Sequence, residues 1–203
     1  MKKTQVVLIA LVVVGLIALG LLAQRGRTSN SPPANVNPNS LPGIQLTNAP
    51  WNPETSYLLE RLQQVGLPAL LKEGTQLHTH QHLDLFIDGR AVTVPAGVGI
   101  DQVGGFISPI HTHDKSGTIH IESPESGRYT LGQFFDVWGV RFTRDCIGSY
   151  CNAGDKALRV YVNGSIVGSD PRQVELEEGQ EIAVTFGTTK ELPDPIPSTF
   201  HAS

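Results

Sequence analysis

The stretch LHTHQHLDLFI at residues 77–87 places its leucines and isoleucine on one parity and its histidines and aspartate on the other. Leucine or isoleucine stands at positions 77, 83, 85 and 87, and histidine or aspartate stands at positions 78, 80, 82 and 84. Successive side chains on a β-strand point to opposite faces, so a period of two predicts a strand with one apolar face and one histidine face. The apolar face needs a core to pack against, and the opposite face holds three imidazoles in a row.

Other segments predict further strands and the turns between them. Asp88 to Arg90 predicts a hairpin turn into AVTVPAG, and Asn163-Gly164 predicts another turn within ALRVYVNGSIVG. We expect strands at 106–113 and 118–122 and a last strand pair within VELEEGQEIAVTFG.

Two short segments carry helix signals. In the first, Asn52 is a candidate N-cap, the proline after it suits the first helical position, and apolar residues follow at helical spacing before Gly66. In the second, Thr130 and Gln133 have capping-box spacing and Gly139 suits the helix end. The sequence therefore predicts a mainly β domain, either an antiparallel sandwich or barrel or an α+β roll, with one or two short helices.

The N-terminal part contains a segment of another kind. Residues 6–23 form an uncharged apolar run of 18 residues, long enough to cross a hydrocarbon core of about 30 Å as a helix. We interpret it as a transmembrane signal anchor that leaves residues 1–5 in the cytoplasm. A cleaved signal peptide is the alternative, although its apolar region is normally shorter, about 7–15 residues. Both interpretations place the domain on the extracytoplasmic side, and the anchor makes the membrane a partner.

Composition divides the rest of the chain. Residues 24–50 are rich in Asn, Pro, Ser and Gly, which predicts a disordered linker. Residues 51–73 contain the first short helix and a connection, residues 74–189 form the histidine-rich β domain, and residues 190–203 form an irregular tail.

The part of the chain after the linker is acidic. Residues 1–50 contain four basic residues and no acidic one, which leaves eleven basic and nineteen acidic residues in the remainder. A nucleic-acid groove needs clustered Lys and Arg, so we expect no nucleic-acid partner. The sequence does not identify a protein partner.

The chain has two cysteines, Cys146 and Cys151. In an exported chain, a lone pair separated by four residues predicts a disulfide that closes a small loop. A redox pair more often has the spacing Cys-x-x-Cys, and a cysteine zinc site needs more ligands.

Six of the seven histidines fall within two groups, and the seventh, His201, lies in the tail. The first group, His78, His80 and His82, shares one strand face with Cα atoms roughly 6.5–7 Å apart. Two of these three side chains can serve one metal ion, whereas all three would need a bend or twist of the strand.

The second group is His111, His113 and His120. Asp114 to Gly117 suits a type I turn. If this turn closes a hairpin with a loop of two or four residues, His111 faces His120 directly and His113 lies on the same face. A loop of three residues would shift this register and leave the pair diagonal.

These side chains favour a transition-metal site. Neutral imidazoles suit zinc, copper or non-haem iron, whereas calcium and magnesium prefer clustered oxygens. Asp114 and Glu122 stand nearby as oxygen ligands or as acceptors that fix the imidazole tautomers. We expect copper or zinc as the cofactor, with iron as a further candidate. The predicted metal ligands are His78, His80, His82, His111, His113 and His120.

Three functions fit these features. The first is the binding, sensing or delivery of copper or zinc. The second is an enzyme in which the ion activates water or dioxygen, with catalytic residues that the sequence does not identify. The third is an interaction or adhesion module whose histidines sense pH without a metal.

Several stretches together resemble a family of exported or membrane-anchored, histidine-rich proteins of bacteria and archaea. They are GLPAL, LHTHQHLDLFIDGRAVTVPAGVGI, FISPIHTHDKSGTIHIESP, YTLGQFFDVWGVRFT and CIGSYC. The likeness covers roughly residues 66–187 and implies the limits and the export of the domain, but no activity is established for that family. HTHDKSG is also similar to the start of the cupin metal motif, but it lacks the glutamate that follows three or four residues later in cupins.

Overall fold

The structure is a computed structural model that describes residues 36–200. The predicted cytoplasmic residues 1–5, the predicted transmembrane segment 6–23 and His201 lie outside the described residues. Within residues 36–200, none of the helices has the length and apolar character needed to cross a membrane.

The described part of the chain contains short helices and strands joined by turns and irregular segments. The helices are α1 (Leu58–Val65) and α2 (Leu131–Trp138). The longer strands are β1 (Leu77–Ile87), β6 (Thr118–Ser123), β9 (Ala157–Val162) and β11 (Glu181–Gly187). The two-residue strands are β2 (Arg90–Ala91), β3 (Ile100–Asp101), β4 (Phe106–Ile107), β5 (Ile110–His111), β7 (Cys146–Ile147), β8 (Tyr150–Cys151) and β10 (Ser165–Ile166). Single 3-10 turns cover Pro171–Gln173 and Thr189–Glu191.

One seven-stranded sheet organises the domain. Its order is β10-β9-β11-β1-β6-β5, and β2 pairs with the end of β1. β1 is antiparallel to β2 and β6 but parallel to β11. The fold is mainly β with two short helices, as the sequence predicts. The sheet is mixed rather than wholly antiparallel, because β11 begins beside His82 and runs in the same direction as β1.

The apolar face of the sheet and the two helices share one core. Leu83 of β1 and Ile119 and Ile121 of β6 are almost fully buried. Buried aromatic side chains complete the core: Trp51, Tyr129, Phe134, Phe135, Trp138 and Phe142. Because side chains alternate along a strand, this packing directs His80 and His120 to the opposite face of the sheet.

Both helices end where the sequence predicts. The Thr130 side chain accepts a hydrogen bond from Gln133 N, and the Gln133 side chain accepts one from Thr130 N, so α2 begins with the predicted capping box. Gly66 and Gly139 follow α1 and α2 with φ angles of 72° and 77°, the left-handed conformation that favours glycine.

The start of α1 differs from the prediction. The helix begins at Leu58 instead of directly after Asn52. Glu54 explains the difference, because its backbone N–H donates to Trp138 O at 3.3 Å and its carboxylate pairs with the buried Arg61. These contacts to α2 and α1 hold the residues between Asn52 and Leu58 in a non-helical conformation.

The strand predicted at 106–113 is divided into two. β4 pairs with β3, whereas β5 pairs with β6. Pro109 lies between β4 and β5 and has no N–H to donate to either ladder, which explains the interruption. The strand predicted at 118–122 is present as β6.

The two predicted hairpin turns are confirmed. Asp88 and Gly89 connect β1 to β2 with φ angles of 50° and 75°, and Asn163 and Gly164 connect β9 to β10 with φ angles of 49° and 78°. Two consecutive positive φ angles are typical of the type I′ turns that close two-residue hairpins. The predicted last strand pair is the single strand β11, because the residues before it form no regular strand.

Residues 36–50 lie against the domain, unlike the disordered linker that their composition predicts. Leu41 is 3% exposed and belongs to the core. Gln45 forms a bridge with Val140, and its N–H donates to Gly139 O at 2.7 Å. Only a few residues, such as Leu41 and Gln45, make these contacts. A prediction from the overall composition, which is rich in Pro and Asn, does not detect them.

The predicted disulfide between Cys146 and Cys151 is present. It joins the two strands of the small hairpin formed by β7 and β8. Both thiols are therefore unavailable as metal ligands.

Candidate metal centre

Three adjacent strands bring histidine and glutamate side chains to one face of the sheet. β1 supplies His78 and His80, and the neighbouring β6 supplies His120 and Glu122. His78 faces Glu122 and His80 faces His120 across this pair of strands. On the other side of β6, His111 of β5 faces His120, which is the register that the sequence predicts.

We call this group of side chains the histidine cluster. It consists of His78, His80, His111, His113, His120 and Glu122.

One carboxylate oxygen lies at the centre of the histidine cluster. Glu122 Oε1 is 3.4 Å from both His78 Nε2 and His120 Nδ1. It is 3.9 Å from His111 Nε2 and 3.8 Å from His113 Nε2. Glu122 is only 6% exposed, so four imidazoles surround a carboxyl group that water reaches poorly.

The imidazoles also approach one another in two pairs. The Nε2 atoms of His78 and His80 are 3.1 Å apart, and so are the Nε2 atoms of His111 and His113. Two ligand atoms that bind one zinc ion at 2.0–2.1 Å with tetrahedral geometry are about 3.3 Å apart. Each pair therefore has nearly the separation at which both nitrogens can bind the same ion.

The neighbours of His111 determine its tautomer. Its Nδ1 lies 3.0 Å from the backbone oxygen of Ser108. A carbonyl oxygen only accepts hydrogen bonds, so Nδ1 carries the hydrogen and Nε2 carries the lone pair. That lone pair faces His113 and Glu122. Metal-binding histidines commonly donate their second ring N–H to a backbone carbonyl in this way.

Burial favours the neutral forms of the central side chains. Burial, followed by the neighbouring His113, lowers the pKa of His111 to about 3. The same two causes lower the pKa of His120 to about 4. Burial, followed by the Glu73 carboxylate, raises the pKa of Glu122. Because a metal ion binds the neutral imidazole, His111 and His120 need not lose a proton to bind one at neutral pH.

His120 has a ring nitrogen that lacks a hydrogen bond. Its Nδ1 is buried and forms no hydrogen bond with any residue between 36 and 200, although Glu122 Oε1 lies 3.4 Å away. A buried polar atom without a hydrogen bond is unfavourable by about 1–3 kcal/mol. A metal ion bound at this nitrogen would remove that penalty.

His82 lies outside the histidine cluster, although the sequence groups it with His78 and His80. Its Nδ1 lies 2.9 Å from the Glu181 carboxylate, and its Nε2 lies 2.8 Å from Ser116 O. Both partners are acceptors, so both ring nitrogens carry hydrogens. The hydrogen bond to Glu181 is the largest cause that raises the pKa of His82. A metal ion at the set His82, Asp84 and Glu181 would have to displace a proton from this imidazolium.

A cavity of about 270 Å³ borders the histidine cluster. His80, His113, His120 and Asp114 line it, and Phe200 from the C-terminal tail closes part of its wall. Asp114 lies outside both ligand sets of the cluster, and its carboxylate accepts a hydrogen bond from Ser116 N at 2.8 Å. The cavity gives solvent a path to the imidazoles.

Three glutamates near the histidines were missed by the sequence analysis. Glu73 Oε1 is 3.5 Å from His113 Nε2, and Glu178 Oε2 is 3.9 Å from His80 Nδ1. Both lie in irregular segments, where the sequence gives no register to predict their neighbours. Glu181 did offer a signal, because it is an acidic residue at the start of an otherwise apolar strand.

The ligand atoms of the histidine cluster form two overlapping sets, each with all atoms within 4.8 Å of one another. The first set is His78, His80, His120 and Glu122. The second set is His111, His113, His120 and Glu122. Each set could hold a metal ion.

Comparisons with protein-family models, with curated proteins and with solved structures find no match to this chain.

Proposed function

We propose that this chain is a membrane-anchored, extracytoplasmic protein that binds copper or zinc, as a binding, sensing or delivery domain. The observation that carries the proposal is the convergence of five imidazoles on the nearly buried Glu122. Strand pairing fixes the positions of His78, His80, His111 and His120, and burial holds at least two of the imidazoles in the neutral form that metals bind.

The ligand types favour copper or zinc. Imidazole nitrogen is a strong ligand for both ions, and one carboxylate adds negative charge without the oxygen-rich shell that calcium or magnesium requires. Iron held by two histidines and one carboxylate is a further candidate, because each set contains that combination.

Two features support the proposed location. The disulfide between Cys146 and Cys151 fits an oxidising compartment outside the cytoplasm. The apolar run at residues 6–23 has the length of a membrane anchor.

Metal binding is tested on the full-length chain in mild detergent. The protein is stripped with a chelator, titrated with Zn²⁺ or Cu²⁺ against a competing chelator, and heated to measure its unfolding temperature. We expect tight binding and a higher unfolding temperature, because an ion that binds only the folded state stabilises it.

Matched variants locate the site. We expect replacement of both His111 and His120 by Asn to weaken binding at least tenfold. Replacement of His82 by Asn is the control and should leave affinity unchanged, because His82 lies outside the histidine cluster. An absence of bound metal after reconstitution, or equal affinity in the double variant, contradicts the proposal.

The cavity beside the cluster favours a second candidate function, a metal-dependent enzyme. A small molecule in this cavity would meet His80, His113 and His120 directly. An ion with an open coordination position there would activate water or dioxygen. Azide added to the cobalt-loaded or copper-loaded protein should then shift the visible spectrum, and an unchanged spectrum would indicate an ion saturated by protein ligands.

A further inference from the structure

We propose that the histidine cluster holds two metal ions, with Glu122 shared between them and His120 adjacent to both. This inference rests on the proposed function and specifies its stoichiometry. The outer pair His78 and His80 binds one ion, and the outer pair His111 and His113 binds the other.

The distances argue against a single ion for all six side chains. Two atoms that bind the same ion at about 2.1 Å are at most about 4.2 Å apart. The six side chains do not form one set within 4.8 Å; they form two sets that overlap at His120 and Glu122. One ion cannot therefore reach both outer pairs in this arrangement.

The sheet places the two outer pairs on either side of a central strand. β6 lies between β1 and β5 and supplies His120 and Glu122. In each outer pair, the Nε2 atoms are 3.1 Å apart. The same local geometry thus occurs once on each side of β6.

Each outer pair also has its own carboxylate at the periphery. Glu178 approaches His80 on the β1 side and accepts a hydrogen bond from His80 N at 2.7 Å. Glu73 approaches His113 on the β5 side. With Glu122 in the centre, these three carboxylates oppose the positive charge of two divalent ions.

Glu122 has the chemistry that sharing requires. A carboxylate has two oxygens, so Glu122 can contact two ions that lie roughly 3.5–4 Å apart, as in other two-metal sites. The two nitrogens of an imidazole point away from each other, so His120 can bridge only ions that lie farther apart than this and otherwise binds one of the two. If His120 bridges through both nitrogens, its ring N–H proton is released to solvent.

Stoichiometry gives the first test. The full-length chain in detergent is stripped, saturated with Zn²⁺, freed of excess ion and analysed for metal and protein. We expect two ions per chain in the wild type and one ion per chain after replacement of His78 and His80 by Asn. That variant should keep its fold, because the His78 side chain is 51% exposed and the His80 side chain is 32% exposed. The His82→Asn control should retain two ions.

Magnetic coupling gives the second test. In the copper-loaded wild type, we expect an electron paramagnetic resonance signal that accounts for less copper than is bound, because two bridged Cu²⁺ ions couple. The variant that lacks His78 and His80 should give the full signal of one isolated ion, and Glu122→Gln should lose the coupling or the second ion.

The outcomes distinguish this inference from the proposed function. One ion per saturated wild-type chain overturns the two-ion site but leaves metal binding in place. No bound ion overturns both proposals. Two ions with uncoupled signals overturn the sharing of Glu122.

Discussion

The burial of neutral His111 predicts how the stability of the metal-free protein changes with pH. The imidazole is inaccessible to solvent, and its pKa of about 3 lies well below the value of about 6.5 for an unfolded chain. Because the folded state binds the proton more weakly, its stability is complete above pH 6.5 and falls as the pH is lowered.

The size of the effect follows from this difference. Each pH unit below 6.5 lowers the free energy of unfolding by about 1.4 kcal/mol, until the pKa of the folded state is reached. At pH 5, His111 alone therefore destabilises the protein by about 2 kcal/mol relative to pH 7.5.

Urea unfolding in the presence of a chelator measures the effect at pH 7.5, 6 and 5. The His111→Asn variant keeps a donor for Ser108 O but cannot be protonated in this range. Between pH 7.5 and 5, we expect the free energy of unfolding of this variant to fall by about 2 kcal/mol less than that of the wild type.

A variant of His82 provides a control with the opposite sign. The hydrogen bond to Glu181 raises the pKa of His82, so this residue stabilises the folded state at low pH and loses that contribution as the pH rises through its folded-state pKa. His82→Asn should therefore lose more stability than the wild type on acidification. Parallel pH profiles for the wild type and His111→Asn would refute the reasoning for His111.

Three further predictions concern the scaffold. Asp136 is 1% exposed and its carboxylate pairs with Arg172. Asp136→Ala leaves the largely buried Arg172 charge without this partner, so we expect the free energy of unfolding, measured in urea, to fall by about 3 kcal/mol. Reduction of the Cys146–Cys151 disulfide should reduce the free energy of unfolding by about 2 kcal/mol, as expected for a short loop, and parallel unfolding curves with and without reductant would contradict this. Gly117 has a φ of 92°, and a Cβ there would lie 2.7 Å from Leu83 O, so Gly117→Ala should lower the unfolding temperature. An unchanged temperature would show that the loop accommodates the methyl group.

The local sequence pattern predicted those features of the structure that depend on residues close together in the chain. The facing of His111 and His120 was predicted from a hairpin loop of two or four residues, and the register is present although residues 112–117 connect β5 and β6. The capping box at Thr130 followed from residues three apart. The strand predicted at 106–113 overlooked Pro109, although proline removes a donor from a ladder and was a local signal for the interruption.

Contacts between distant segments were beyond such reasoning. The sequence does not show that β1 lies between β6 and β11, and that arrangement decides which histidines meet. It brings His80 to His120, but it also brings His82 to Glu181, which is 99 residues away along the chain. Three histidines that look equivalent in sequence therefore divide into two in the histidine cluster and one in a separate ion pair.

The alternation along β6 has a consequence for how the site can fail. A slip of one residue against the neighbouring strands would turn Ile119 and Ile121 outward and point His120 and Glu122 into the apolar interior. The packing of these two isoleucines in the core therefore fixes the register of β6, and with it the positions of His120 and Glu122 on the opposite face. A smaller side chain at Ile119 or Ile121 should loosen that alignment and weaken the proposed metal binding, although it changes none of the candidate ligands.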